Sequence, residues 1–210
     1  MSDARIHAMP KLSPAARARK IKLLLFDVDG VLTDGKLFFL PVVSESTARR
    51  DSSLTSPSQI EFKGFHAHDG AAISLAKIGG IRTGLITKRM SETVARRATD
   101  LKIDYVYQGV QDKRTCFNDI VKKAGLKPEE AAFVGDDVID LPAMRAGGLG
   151  IAVKNARAEV KEEAHYVTLH AGGEGALRDA VEFILKAQGK WRRVVEEYIG
   201  ERNPEKAVGN

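Results

Sequence analysis

Asp27 and Asp29 stand two residues apart in a Phe-Asp-Val-Asp-Gly stretch that ends one apolar run. A second acidic group, Gly135-Asp136-Asp137 with Asp140 one turn on, ends another. Thr87 closes a third run, and Lys113 opens a helical pattern after a fourth. Carboxylates gathered in one place repel, and each raises the others' pKa unless a cation sits among them. Hard oxygen donors suit Mg²⁺, which prefers octahedral coordination, keeps waters and often bridges to phosphate. Lys113, the Thr87 hydroxyl and backbone N–H groups of the Asp27 loop could then hold phosphoryl oxygens. Asp27, first out of its strand, is placed to attack phosphorus, because aspartyl carboxylates form phospho-enzyme intermediates. Asp29 is placed to protonate the leaving oxygen and later to deprotonate water. Catalysis by such a set comes mainly from alignment and charge neutralisation.

The elements needed to gather these residues are visible in the hydrophobic pattern. Residues 21–26 read IKLLLF, a run without alternation that suits a strand buried on both faces. Similar runs recur at 81–86, 105–107, 131–134 and 149–153. Helical patterns separate or follow them at 71–78, 92–101, 114–124, 141–146, 156–164, 176–188 and 191–199. This alternation predicts an α/β fold with a doubly wound, mostly parallel, Rossmann-like sheet. In such sheets reactive groups collect at the carboxyl ends of the strands, where all the residues named above fall. Residues 37–43 and 60–65 break the rule, being two strands in succession around a polar segment at 44–59 with six serines. They predict a small antiparallel β-hairpin flap over about residues 36–66.

Composition narrows the class. The chain has 210 residues, 43% of them hydrophobic, enough for one domain with a real core. No stretch approaches the roughly 20 apolar residues of a membrane helix, and the opening MSDARIHAMPKLSPAARARK, without an apolar central block, is not expected to be a secretory signal. The single Cys116 excludes an internal disulfide framework and agrees with a reducing cytoplasm, the expected location. The net charge of +5 lies within residues 1–22, which hold six cations and one anion, whereas the remaining 188 balance at 27 of each. Residues 1–19 are therefore expected to be a basic, disordered leader, 20–190 the catalytic domain and 191–210 a tail, with no nucleic-acid partner.

Taken together, FDVDGVLTDG at 26–35, Ile86-Thr87, Lys113 and VGDDVIDLP at 134–142 resemble the four motifs of the haloacid dehalogenase-like phosphohydrolases. FHAHDG at 65–70, YQGVQDK at 107–113 and GGEGALRDAVEFILKAQGKW at 172–191 resemble the branch that lacks a large cap domain, the 3-deoxy-D-manno-octulosonate 8-phosphate phosphatases. The resemblance implies Mg²⁺-dependent phosphate release from an acidic sugar phosphate, feeding lipopolysaccharide synthesis. It implies Asp27 as nucleophile and ligand, Asp29 as acid/base and ligand through its carbonyl, and Asp136 as the third ligand. Asp137 and Asp140 fall behind the ligands, and Thr87 and Lys113 on phosphate. It also implies a homotetramer in which flaps meet and neighbouring subunits wall each site. His68 stands where the branch usually has arginine, Ser74 where it often has another, and Lys88 where glycine follows the threonine. Relatives include phosphatases of nine-carbon, sialic-acid-type sugar phosphates.

Further candidates for substrate contact are His66, His68, Asp69 and Gly70 in the 65–70 motif, with Arg89 and Arg97, whose guanidinium groups suit a planar carboxylate. His66 and His68 are spaced to share one strand face. With no cysteine or third histidine nearby, that spacing points to flap packing or substrate contact, not a transition metal. Two other classes share these residue types. Phospho-acceptor receivers place the acid pair first and the acceptor later, the reverse of the order here. The other is a catalytically impaired phosphate-binding scaffold, with His68 and Lys88 as marks of lost turnover, against which the intact Asp27 and Asp29 weigh.

Overall fold

The computed structural model describes residues 12–41 and 59–201. Its strands are β1 (Leu23–Phe26), β2 (Phe38–Pro41), β3 (Gln59–Phe62), β4 (Arg82–Ile86), β5 (Tyr105–Tyr107), β6 (Ala131–Gly135), β7 (Leu149–Ala152) and β8 (Tyr166–Val167). Six form one sheet in the order β5-β4-β1-β6-β7-β8, every pairing parallel. β2 and β3 pair antiparallel in a separate hairpin, Phe38 opposite Phe62. The helices are α1 (Pro14–Ala18), α2 (Ala67–Ile78), α3 (Glu92–Leu101), α4 (Lys113–Lys123), α5 (Leu141–Ala146), α6 (Ala158–Glu163), α7 (Ala176–Ala187) and α8 (Trp191–Glu201). No described helix is long and apolar enough to cross a membrane.

Side chains along a strand alternate between faces, yet all four of β1 are buried, so both faces of the sheet are covered. α7 packs on α1 and α2, with α8 against α2, while α4 packs on α5. Phe26, Phe117 and Phe133 are among the largest fully buried side chains, the latter two edge to face at 6.4 Å. Burial of each such side chain stabilises the fold by roughly 1.5–3 kcal/mol. From β1 the sheet grows through β4 to β5 on one side and through β6 to β8 on the other. The strand order therefore switches at β1, which opens a crevice at the carboxyl ends of β4, β1 and β6.

Three expectations need correction. Residues 13–19 do not belong to a leader. Ser13 accepts a hydrogen bond from the Ala16 N–H at 3.2 Å, Pro14 occupies the first turn, and α1 follows. Ala18 is fully buried and the Arg17 guanidinium donates to the Gly148 carbonyl at 2.8 Å. Residues 1–11 lie outside the described residues. The second flap strand ends at Phe62 instead of residue 65, and α2 begins at Ala67, four residues before its apolar pattern. Most of the 44–59 segment lies outside the described residues.

Candidate active site

Asp27 leaves β1 with its backbone N–H still bonded to the Val134 carbonyl at 3.1 Å, so the strand pairing itself sets its place. Lys113 is the first residue of α4, whose N-cap Asp112 accepts from the Arg114 and Thr115 N–H groups. Its ammonium lies 2.9 Å from Asp27 Oδ2 and 2.7 Å from Asp140 Oδ1. Asp140 is fully buried, and its other oxygen accepts the N–H groups of Asp136 and Asp137 at 3.0 and 3.3 Å. It thereby shapes the loop after β6 and aims Asp136 at Asp27. Gly30 makes this approach possible. Its φ is +88°, and a Cβ there would overlap the Asp136 carboxylate.

Asp27, Asp136 and Asp140 offer carboxylate oxygens that all lie within 4.8 Å of one another. Burial, then the Asp140 charge, raise the Asp27 carboxyl from 3.8 to about 6, against the pull of Lys113. Burial, then Asp140, Asp27 and Asp137, push Asp136 up to about 7. One ammonium does not neutralise this cluster. Asp27 Oδ1 and Asp136 Oδ1 are buried without a hydrogen-bond partner, whereas both Asp140 oxygens are engaged. A hard divalent cation fits against those two orphaned oxygens. Among the described residues no other group of acids, histidines and cysteines meets metal-site spacing.

Thr87 follows β4 directly and is buried, its hydroxyl oxygen accepting the Arg89 N–H at 3.4 Å. Its own O–H therefore points elsewhere. Asp29 is half-buried and lies beside a pair that the sequence pattern had not flagged. The Lys63 ammonium sits 2.5 Å from Asp29 Oδ1 and 3.2 Å from Glu61 Oε1. Arg89 joins them, 3.3 Å from Glu61 and 3.8 Å from Asp29, so it caps the rim of the site. Burial raises the Glu61 pKa, but hydrogen bonds with Ser91, Lys63 and Arg89 outweigh it and hold that carboxyl below its ordinary value. In the sequence Lys63 falls inside the expected 60–65 strand, which gives no signal of this contact.

Other expected contacts fall elsewhere. Asp137 is exposed and caps the short turn Val138–Asp140, accepting the Val138 N–H at 2.6 Å. His66 and His68 do not share a strand face, for His66 is the N-cap of α2 and accepts the His68 N–H at 3.3 Å. His68 opens instead onto a cavity of about 220 Å³ with His170, Glu174 and Arg178. Asp69 is fully buried, and its oxygens accept the Gly175 and Arg178 N–H groups at 3.1 and 3.0 Å. It fixes the start of α7 and is not free to meet a substrate. Arg97 lies over the Phe65 ring at 5.6 Å and against Gly70, where a Cβ would come within 2.7 Å of its guanidinium. Gly70 thus serves this packing. Within one chain these five residues do not join the Asp27 cluster.

The site thus joins a buried carboxylate at the switch point of a parallel sheet, a buried lysine and a second acidic loop. Residues 72–178 match the model of the haloacid dehalogenase-like hydrolases. The chain is 38% identical over 175 residues to the 3-deoxy-D-manno-octulosonate 8-phosphate phosphatase KdsC of Escherichia coli K12, covering 83% of this chain and 85% of that one. The chain belongs to the haloacid dehalogenase-like hydrolases and is similar within them to the KdsC phosphatases. The solved structure of the corresponding phosphatase from Moraxella catarrhalis, in complex with a magnesium ion, a phosphate ion and a KDO molecule, superposes with a TM-score of 0.75 at 34% identity, covering 88% of this chain and 97% of that one. The Yersinia pestis phosphatase gives a TM-score of 0.73 at 34% identity, over 85% and 88% of the two chains.

Proposed function

We propose that this protein hydrolyses the phosphomonoester of an acidic sugar, 3-deoxy-D-manno-octulosonate 8-phosphate, through a phosphate carried on Asp27. The observation that carries this is the Asp27–Lys113–Asp140 arrangement, beside which one carboxylate oxygen each of Asp27 and Asp136 is buried without a hydrogen-bond partner. Asp27 Oδ1 and Asp136 Oδ1, with the Asp29 carbonyl, would hold Mg²⁺, which supplies neutralisation of the charge on the phosphoryl oxygens. Asp27 attacks phosphorus and the ester oxygen departs with a proton from Asp29. Water then attacks the same phosphorus as Asp29 takes its proton, returning Asp27 and releasing phosphate. Lys113 stays beside the nucleophile through both steps, and the Thr87 O–H donates to a phosphoryl oxygen.

The flap supports an assembly. Phe38, Phe39, Leu40, Ile60 and Phe62 are each 42% exposed or more, on both faces of the hairpin. Such a surface calls for a partner, and a homotetramer in which flaps meet would cover it and wall the open site. The lone Cys116 fits a cytoplasmic setting. A panel of sugar phosphates ranked by kcat/KM tests the substrate. The eight-carbon ester is expected to lead. Nine-carbon acidic sugar esters are the second candidates, and a lead for a neutral hexose phosphate would reject both.

Metal binding has a pH dependence of known sign. Mg²⁺ needs both carboxylates ionised, so it competes with protons at Asp27 and Asp136, whose pKa values lie at about 6 and about 7. Apparent affinity is expected to fall by about two orders of magnitude from about pH 8 to about pH 5.5. Thermal shift against Mg²⁺ concentration measures it, and equal affinity at both pH values would contradict the cluster as the site.

A further inference from the structure

The steps above leave the Lys63 ammonium without a part. Its side chain is fully buried, which is costly for a charge unless it is paired on more than one side. The pairing is specific. Lys63 bridges Asp29 Oδ1 and Glu61 Oε1, and Arg89 closes the outer edge against the same two carboxylates. Among the described residues Lys63 and Arg89 are the polar partners of the Asp29 side chain. Arg89 is 42% exposed and stands 3.8 Å away, so Lys63 is the firmer of the two. Behind it, the Thr93 hydroxyl donates to the Glu61 carbonyl at 2.9 Å, tying β3 to the first turn of α3. The base of the flap is thereby anchored to the body beside Asp29.

An acid that must reach one leaving oxygen needs a fixed carboxylate, and a displacement of about 1 Å can cost 10²-fold in rate. Asp29 sits on the loop after β1, where the chain alone does not set its side-chain direction. We propose that Lys63 is a positioning residue for Asp29, with Glu61 holding Lys63 from the other side, so that the base of the flap belongs to the machinery that protonates the leaving group. The role concerns where the carboxylate points and deepens the assignment of Asp29 as acid/base, on which it rests. Lys63 does not touch substrate, because nothing of its side chain reaches the surface.

The experiment compares two esters. An alkyl phosphate expels an alkoxide and needs a proton, whereas p-nitrophenyl phosphate expels a stable phenolate and does not. kcat/KM reports the step in which this oxygen departs, and Asp29→Asn serves as the reference. For Lys63→Met, kcat/KM is expected to fall about 10²-fold on the alkyl ester and only about 3-fold on the aryl ester, with the Mg²⁺ thermal shift retained. Equal losses on the two esters, or none on the alkyl ester, would overturn the proposal. Should Lys63→Met fail to fold, Glu61→Gln carries the same test through the outer anchor, with the same selectivity at smaller size. If Asp29→Asn shows no preference between esters, the acid/base assignment fails whatever Lys63 does. If only Lys63→Met lacks it, the positioning role alone fails.

Discussion

Replacing Asp27 by asparagine is expected to abolish turnover while making the metal-free protein more stable above neutral pH. The first effect follows from the loss of the attacking charge, and a drop of at least about 10⁴-fold is in proportion to removal of a nucleophile. The second follows from the cost of holding that charge. Asp27 is 4% exposed, and burial with the Asp140 charge lifts its pKa to about 6 despite Lys113. A folded-state pKa raised above the unfolded value stabilises the fold below the unfolded value, near 4, and that contribution disappears as pH rises through 6. Asparagine never ionises, so the variant escapes this loss, while Lys113 keeps Asp140 as a partner at 2.7 Å. Melting temperatures in chelator should therefore match the parent only below about pH 4, pull ahead of it between about pH 4 and 6, and exceed it by a few degrees near about pH 8. Near-normal turnover would reject the phospho-aspartate route. A lower melting temperature at the higher pH would show that the Lys113 contact outweighs the crowding.

The parts of the site that are legible in sequence are those set by one strand. Asp27, Thr87 and Asp136 could be named because each is the first or second polar residue past a buried run, and a parallel sheet brings such ends together whatever else the chain does. Residues whose partners lie far along the chain could not. Asp69 reads as a motif acid beside two histidines, but its carboxylate is committed to N–H groups 106 and 109 positions away. Glu61 and Lys63 fall inside the expected flap strand at 60–65, where nothing marks them. The fold brings Lys63 against Asp29, 34 positions away, with Glu61 behind it. The error at α1 is of another kind. Its charges suggest a tail, and only Ala18 and Arg17, with contacts to the body, show that a helix of five residues is held by packing and not by its own propensity.

Lys113→Met tests whether the cluster is held by charge or by shape. The lysine is 4% exposed, and although burial favours its neutral form, Asp140 and Asp27 outweigh this and raise its pKa. It therefore stays an ammonium through the range in which the carboxylates titrate. Methionine fills similar space but leaves Asp27, Asp136 and Asp140 facing one another with no cation. Breaking a buried pair in this way costs about 3–5 kcal/mol, and here the ionised acids bear that cost. At about pH 5, below the parent values of about 6 and about 7, Asp27 and Asp136 are largely protonated and the repulsion relaxes. Urea denaturation without metal is expected to show the full loss near about pH 8 and a much smaller one near about pH 5. Mg²⁺ should return part of the stability at the higher pH by replacing the missing positive charge, but not turnover, since the oxygens of the transferring group lack their ammonium. The ammonium also lies 6.0 Å from the centre of the Phe133 ring, so packing offers a rival cause. A loss of the same size at both pH values would mean that contact with Phe133, and not the balance of charges, is what Lys113 provides.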